Sequence, residues 1–236
     1  MSKGTTCAKA IQLWEERNGM KADEAETVKL YCQQPPIDRM DDSLNSLEAC
    51  RYLSLSTNSI LKMTPLSKLK NLQILSLARN QIVRLIGLEE IGITLKELWL
   101  SYNNIERLDG LQPCVALTTL FISNNKIRSW EEVSKLAQLP ELKNLLLWGN
   151  QVYGDHTKES VKPHVVKVVP QITVLDGALI GETIRKQAQE LDWFTSSSYN
   201  FNSLSFTSLS LSPSYPVHLV TSLQQSCPYS FRKHSP

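Results

Sequence analysis

Residues able to do acid–base, nucleophilic or metal chemistry occur in this 236-residue chain, but not at spacings that let them act together. The four histidines, His156, His164, His218 and His234, have no ligand-spaced partners; the first two read as solvated loop residues and the last two fall in the C-terminal tail. The five cysteines (Cys7, Cys32, Cys50, Cys114, Cys227) are scattered, odd in number and never spaced C-x-x-C. That fits thiols of a reducing compartment better than a disulfide framework or a zinc site, with Cys50 and Cys114 as small hydrophobes. Phosphate-cradling glycine loops, nucleophile elbows and H-E-x-x-H are all missing from the sequence. The acid pairs Asp41-Asp42 and Glu131-Glu132 stand where helices are expected to begin, as the helix dipole favours. The expectation is a protein without catalysis, cofactor or metal.

What remains is the chemistry of recognition. In "LKELWLSYNNIERL", Leu95 to Leu108, a strand would turn Leu98 and Leu100 one way and Trp99 the other. Equivalent positions recur along the chain. They give Tyr52, Ser54, Ser56 and Thr57, then Ile74, Ser76, Ala78 and Arg79, then Glu97, Trp99, Ser101 and Tyr102. Thr119, Phe121, Ser123 and Asn124 follow, and last Asn144, Leu146, Trp148 and Gly149. Side by side, Trp99, Phe121 and Leu146 form an apolar column with Trp148 two residues from Leu146. Tyr102 lies at its edge, with Arg79 and Glu97 as a charged flank. An apolar centre with a polar rim is the anatomy of a protein-binding face, and tryptophan, tyrosine and arginine are its usual anchors. The candidate partner-binding residues are Ile74, Arg79, Glu97, Trp99, Tyr102, Phe121, Leu146 and Trp148. The competing reading has these aromatics packed under the chain's own N-terminal helix or tail.

The elements that must position these side chains are repeats. "CRYLSLSTNSI" from Cys50, "LQILSLARNQI" from Leu72, "LKELWLSYNNI" from Leu95, "LTTLFISNNKI" from Leu117 and "LKNLLLWGNQV" from Leu142 all fit L-x-x-L-x-L-x-x-N-x-L. Asn58, Asn80, Asn103, Asn125 and Asn150 follow one another at 22, 23, 22 and 25 residues. The fold class is therefore an α/β leucine-rich-repeat solenoid of about six 22–25-residue repeats. Stacking buries motif positions one, four, six and eleven, and each asparagine satisfies backbone groups that no strand ladder reaches. The return segment "SWEEVSKLAQLP" is expected to be helical, with Ser129 and Glu132 as a capping box and Pro140 beyond it.

A solenoid needs capped ends. Residues 1–49 read as an N-terminal helical cap, with Ile11 and Trp14 on one helix face and Gly19 as a stop. "DEAETVKLY" follows as a second helical stretch with Asp23 and Glu26 at capping-box spacing. Ile37, Met40, Leu44 and Leu47 then form a degenerate half-repeat over the first strand. Residues 50–180 hold the array and its C-terminal cap, in which Ile172 and Leu175 belong to a last strand and Asp176-Gly177 turns out of it. Residues 181–194 form a C-terminal helix. Residues 195–236 are rich in serine and poor in charge, a composition expected of a disordered tail.

The net charge of +2 gives no support for nucleic acid or an acidic membrane as partner. The N-terminus does not read as a signal peptide, and no apolar run approaches the roughly 20 residues of a membrane span.

"TTCAKAIQLWEERNG", "PPIDRMDDSLNSLEACRYLSLSTN", "NLQILSLARNQI" and "TLKELWLSYNNIERLDGL" resemble the axonemal dynein light chain 1 family, the leucine-rich-repeat light chains of the outer dynein arm. The likeness runs from about Thr5 to Gly177 and includes segments outside the repeats. It implies a non-catalytic subunit in the axoneme of cilia and flagella, part of the cytoskeleton and cytoplasm. It further implies binding to one outer-arm dynein heavy chain at the motor region near the microtubule-binding domain, contact with tubulin, and tuning of the motor. By the same resemblance Arg185 and Lys186, in "GETIRKQAQELDWF", are the basic pair of a helix lying near motor or microtubule. The alternatives are a repeat-containing regulatory subunit of a protein phosphatase and a spliceosomal repeat scaffold.

Overall fold

The computed structural model describes residues 4–191. Its frame is one eight-stranded sheet in chain order: β1 (Thr27–Lys29), β2 (Tyr52–Ser54), β3 (Ile74–Ser76), β4 (Glu97–Trp99), β5 (Thr119–Phe121), β6 (Asn144–Leu146), β7 (Val174–Leu175) and β8 (Ala178–Leu179). Strands β1 to β7 run parallel, and β8 turns back antiparallel on β7. The central leucines Leu53, Leu75, Leu98, Leu120 and Leu145 are fully buried, as are Leu55, Leu77, Leu100 and Leu147 two residues on. The sheet's inner side is thus a continuous apolar core, and its other side carries motif positions three and five.

Asparagine closes each turn. The Asn103 amide nitrogen donates to the carbonyls of Leu77 (3.0 Å) and Leu100 (2.9 Å), while its oxygen accepts from the Ile82 N–H at 2.9 Å. Asn80, Asn125 and Asn150 repeat the pattern. The residue before each takes a left-handed backbone (φ 55° at Arg79, 61° at Tyr102), which turns the chain inward so that the short amide reaches both neighbouring coils.

The sheet begins earlier than the sequence pattern suggests. No helix follows Asp23. Ala22–Glu24 make one 3₁₀ turn, and Thr27–Lys29 then pair with Tyr52–Ser54. Ala25, Val28 and Leu30 are buried at motif positions one, four and six, and buried Gln33 stands at the asparagine position. The carbonyl of Glu26 accepts from the N–H groups of Arg51 and Tyr52, so its backbone serves the ladder instead of a helix. Ile37, Met40, Leu44 and Leu47 are buried as expected. Cys7, Cys50 and Cys114 are free and buried.

Helix α1 (Cys7–Asn18) is capped by Thr6, whose side chain accepts from the Lys9 N–H, and ends at Gly19 with φ 66°. It sets Cys7, Ala10 and Ile11 into the core, with Trp14 packed against it. In the fourth repeat Ser129 caps α2 (Trp130–Ser134), but Glu132 does not bond back to it. Its carboxylate accepts from the Leu108 N–H at 2.8 Å, tying the helix to the preceding coil. Helices α3 (Lys158–Val168) and α4 (Glu182–Glu190) complete the C-terminal end, with Asp176 and Gly177 both at positive φ in the turn out of β7. His164 is not a loop residue. It lies in α3, half-buried with its ring 5.9 Å from that of Trp130, and burial pushes its pKa down. The expected tail, 195–236, lies outside the described residues. Among the described residues no helix is long and apolar enough to cross a membrane, and no group of three potential ligands could hold a metal ion.

Candidate functional site

Strand pairing lines up Ser54, Ser76, Trp99, Phe121 and Leu146 as one row, and Tyr52, Ile74, Glu97, Thr119 and Asn144 as the next. Within the first row the Trp99 and Phe121 rings stack, with centroids 6.0 Å apart. Trp99 also meets Tyr52 edge-on at 5.8 Å. Tyr52 belongs to the second row and lies two strands away, a separation of roughly 9.6 Å at the backbone. The indole therefore leans across β3, where Ser76 is buried and small, toward β2, where Ser54 is buried too. Two hydroxyls leave the space that a larger residue would fill, and Ser76 is itself satisfied by Ser56 at 2.6 Å.

Glu97 fixes the indole. Its carboxylate accepts from the Trp99 Nε1–H at 3.1 Å, putting the acid within the aromatic run. The expected flank of Arg79 and Glu97 does not form. Arg79 stacks its guanidinium over the exposed Tyr102 ring at 4.5 Å, at the other end of the strands. Burial, with a smaller push from Glu97, raises the Tyr52 pKa. Lys29, on the strand that the sequence reading took for helix, places its ammonium 5.9 Å from the Tyr52 ring centre. Leu146 and Ile74 lie half-buried on the same face. Trp148 stands apart from the column. Its ring meets Tyr153 at right angles, 5.1 Å away, with the Lys158 ammonium 5.3 Å above it.

Sequence reasoning left out Tyr52 and Lys29 as members of the run. Tyr52 was legible only as one entrant in the map, since strand parity says nothing about sideways reach. Lys29 required seeing the 1–4–6 spacing of Ala25, Val28 and Leu30. Of the competing placement, the half that puts the aromatics under the N-terminal helix does not occur, since α1 packs on the 3₁₀ turn Asp42–Ser46, its Cys7 N–H donating to Asp41, and the half that puts them under the tail lies outside the described residues. Arg185 and Lys186 part company as well. The Arg185 guanidinium donates to the carbonyls of Pro170 (3.0 Å) and Ile172 (2.8 Å), holding α4 to the turn before β7. Lys186 is exposed.

A family model for leucine-rich repeats (two copies) matches residues 93–135. Dynein axonemal light chain 1 of Chlamydomonas reinhardtii is 45% identical over 192 residues, covering 80% of this chain and 97% of that one. The chain belongs to the axonemal dynein light chain 1 family. The Homo sapiens relative is 48% identical over 178 residues (75% of this chain, 94% of that one), and the Xenopus laevis relative 47% over 193 residues (81% and 99%). Among solved structures, a leucine-rich-repeat protein of Leptospira interrogans matches with a TM-score of 0.54 and 23% identity, covering 64% of this chain and 37% of that one. That likeness bears on the fold alone. Membership of the dynein light chain family sets the chain in the axoneme of cilia and flagella, and neither the phosphatase nor the spliceosomal alternative is where these relatives point.

Proposed function

We propose that the chain is a non-catalytic light chain of the outer dynein arm that binds the heavy-chain motor region through its aromatic sheet face, near the microtubule-binding domain. The observation that carries this reading is the run Tyr52–Trp99–Phe121, half-buried, in mutual ring contact and held by Glu97. A rigid aromatic surface loses little side-chain entropy on binding, which suits it to be the centre of an interface. Small ligands are ordinarily enclosed in a concave pocket, so aromatic side chains presented on a sheet face suit a helix or a globular surface better. Ile74 and Leu146 extend the apolar area, while the Arg79–Tyr102 pair and Trp148 border it. Contact with tubulin belongs to the same reading, because a light chain seated beside the microtubule-binding domain lies close to the track. Lys186 rather than Arg185 is the basic residue of α4 available for such contact. Modulation of the motor then follows from occupying a surface that moves during its cycle.

The test is a pull-down of dynein heavy chain from ciliated cells with wild-type chain, Trp99→Ala and Phe121→Ala, each first shown to be folded by circular dichroism. Each variant is expected to weaken binding by a hot-spot increment of about 2 kcal/mol, roughly thirtyfold. Undiminished heavy-chain recovery by both folded variants would sink the reading.

A further inference from the structure

A second face of the solenoid is built as regularly as the aromatic one. Beyond each asparagine turn a further backbone ladder ties the coils together. Ser59 donates to the Ile37 carbonyl (2.8 Å), Gln81 to Ile60 (2.9 Å), Asn104 to Ile82 (2.8 Å) and Lys126 to Ile105 (2.9 Å). Two residues after each of these four isoleucines stands a cation: Arg39, Lys62, Arg84 and Arg107. All four are exposed. Arg107 pairs with Asp109 at 2.7 Å, whereas Arg39, Lys62 and Arg84 have no ion pair among the described residues. Beside the two central cations are Leu61 and Val83, 52% and 44% exposed. The acids in line with them, Asp38 and Glu106, lie in the flanking coils, and Glu106 is taken up by Arg128 at 3.9 Å.

We infer that this strip, Arg39–Lys62–Arg84 with Leu61 and Val83, is a second docking surface for an acidic amphipathic helix of a partner, lying along the solenoid axis. Charge complementarity sets the sign of the occupant, and the exposed leucine and valine require an apolar neighbour row beside its carboxylates. Spacing sets its conformation. Successive coils are roughly 4.8 Å apart, so two steps from Arg39 to Arg84 span roughly 9.6 Å. Carboxylates one per turn on a helix are about 5.4 Å apart and span roughly 11 Å over two turns, a mismatch that flexible cation side chains absorb. Same-side residues of an extended strand span roughly 13 Å over two steps and fall further out of register. The surface is separate from the aromatic face and is independent of what that face binds.

The experiment uses the full chain and two fluorescein-labelled, alanine-based helical peptides of identical composition. One carries a glutamate each turn with a leucine row beside it, and the other has the same residues permuted so that no stripe exists. Fluorescence anisotropy at low salt is expected to show preferential binding of the striped peptide that weakens as salt rises. Binding should fall at least tenfold in R39Q/K62Q/R84Q and in the charge-reversed R39E/K62E/R84E, severalfold in L61S/V83S, and remain unchanged in Trp99→Ala. The substituted residues are exposed, and unchanged circular dichroism verifies that the variants are folded. Equal binding of striped and permuted peptides, no binding of either, or full binding by the folded glutamine variant would each overturn the inference.

Discussion

Asn103 stands midway along the ladder that holds β4, and with it Trp99, in place. Its side chain is 7% exposed and makes three bonds to backbone groups of two coils. The three partners are not equally dependent on it. The Leu77 carbonyl also accepts from Asn80 at 3.0 Å and the Leu100 carbonyl from Asn125 at 2.9 Å, so both keep a partner when Asn103 is removed. The N–H of fully buried Ile82 is left with none. An orphaned buried donor costs about 1–3 kcal/mol and each of the two shared bonds contributes about 1 kcal/mol, so Asn103→Ala should lose about 3–5 kcal/mol of unfolding free energy. That is a large part of the roughly 5–15 kcal/mol available to a domain. Asn103→Asp sharpens the test. One carboxylate oxygen can still accept from Ile82, but the other must face two carbonyl oxygens where the amide had donated. The charged form is disfavoured, so the aspartate pKa in the folded chain rises above its unfolded value of about 3.9. A raised folded pKa contributes stability that is present below the unfolded pKa and lost as pH rises. The aspartate variant should therefore fall further behind wild type between about pH 4 and pH 7, and match or exceed the alanine deficit at neutrality. Urea unfolding followed by circular dichroism at both pH values measures this. An alanine variant within 0.5 kcal/mol of wild type, or an aspartate deficit that ignores pH, would refute the accounting.

Alkaline sensitivity should follow from the buried thiols. Burial pushes Cys7 and Cys114 up to about 12 and Cys50 up to about 11, and burial with Asp176 nearby pushes Tyr153 up as well. The folded chain keeps protons that the unfolded chain releases, so stability is intact below about pH 9 and falls above it, by up to about 1.4 kcal/mol per pH unit for each thiol; urea midpoints at pH 8 and pH 10 should show the drop. At the C-terminal end, Arg185→Gln removes two bonds to backbone carbonyls and should cost about 1–2 kcal/mol, while Lys186→Gln leaves thermal unfolding unchanged. Equal melting of the two variants would show that Arg185 holds nothing. Ser76→Leu should fill the bed under the indole, separating the Trp99 and Tyr52 rings at an overpacking cost of about 1–3 kcal/mol. Retention of their ring-to-ring nuclear Overhauser contacts would contradict the role given to the serine.

The repeat pattern disclosed most of the fold because its information is local and redundant. Leu98, Leu100 and Asn103 have counterparts in every coil, and each coil repeats the same instruction. The misreading of residues 23–31 arose where two local codes overlap: Asp23 and Glu26 have capping-box spacing, while Ala25, Val28 and Leu30 have repeat spacing. The second prevailed because a neighbouring strand offers Thr27–Lys29 a ladder and a core, which a short isolated helix would lack. Arg185 was out of reach for another reason. The carbonyls it serves become neighbours only through the turn between α3 and β7.

The site shows the same division. Parity along a strand identifies which side chains leave the core, and so it named Trp99 and Phe121. Which neighbours they meet depends on the size of residues in adjacent coils, and a long side chain crosses a strand only over a small one. The serines at 54 and 76, the least eye-catching members of their row, therefore determine that Trp99 reaches Tyr52. In a solenoid, then, the shape of a binding face is written as much by its small residues as by its aromatic ones, and a map that scores only the large residues misplaces its centre by a strand.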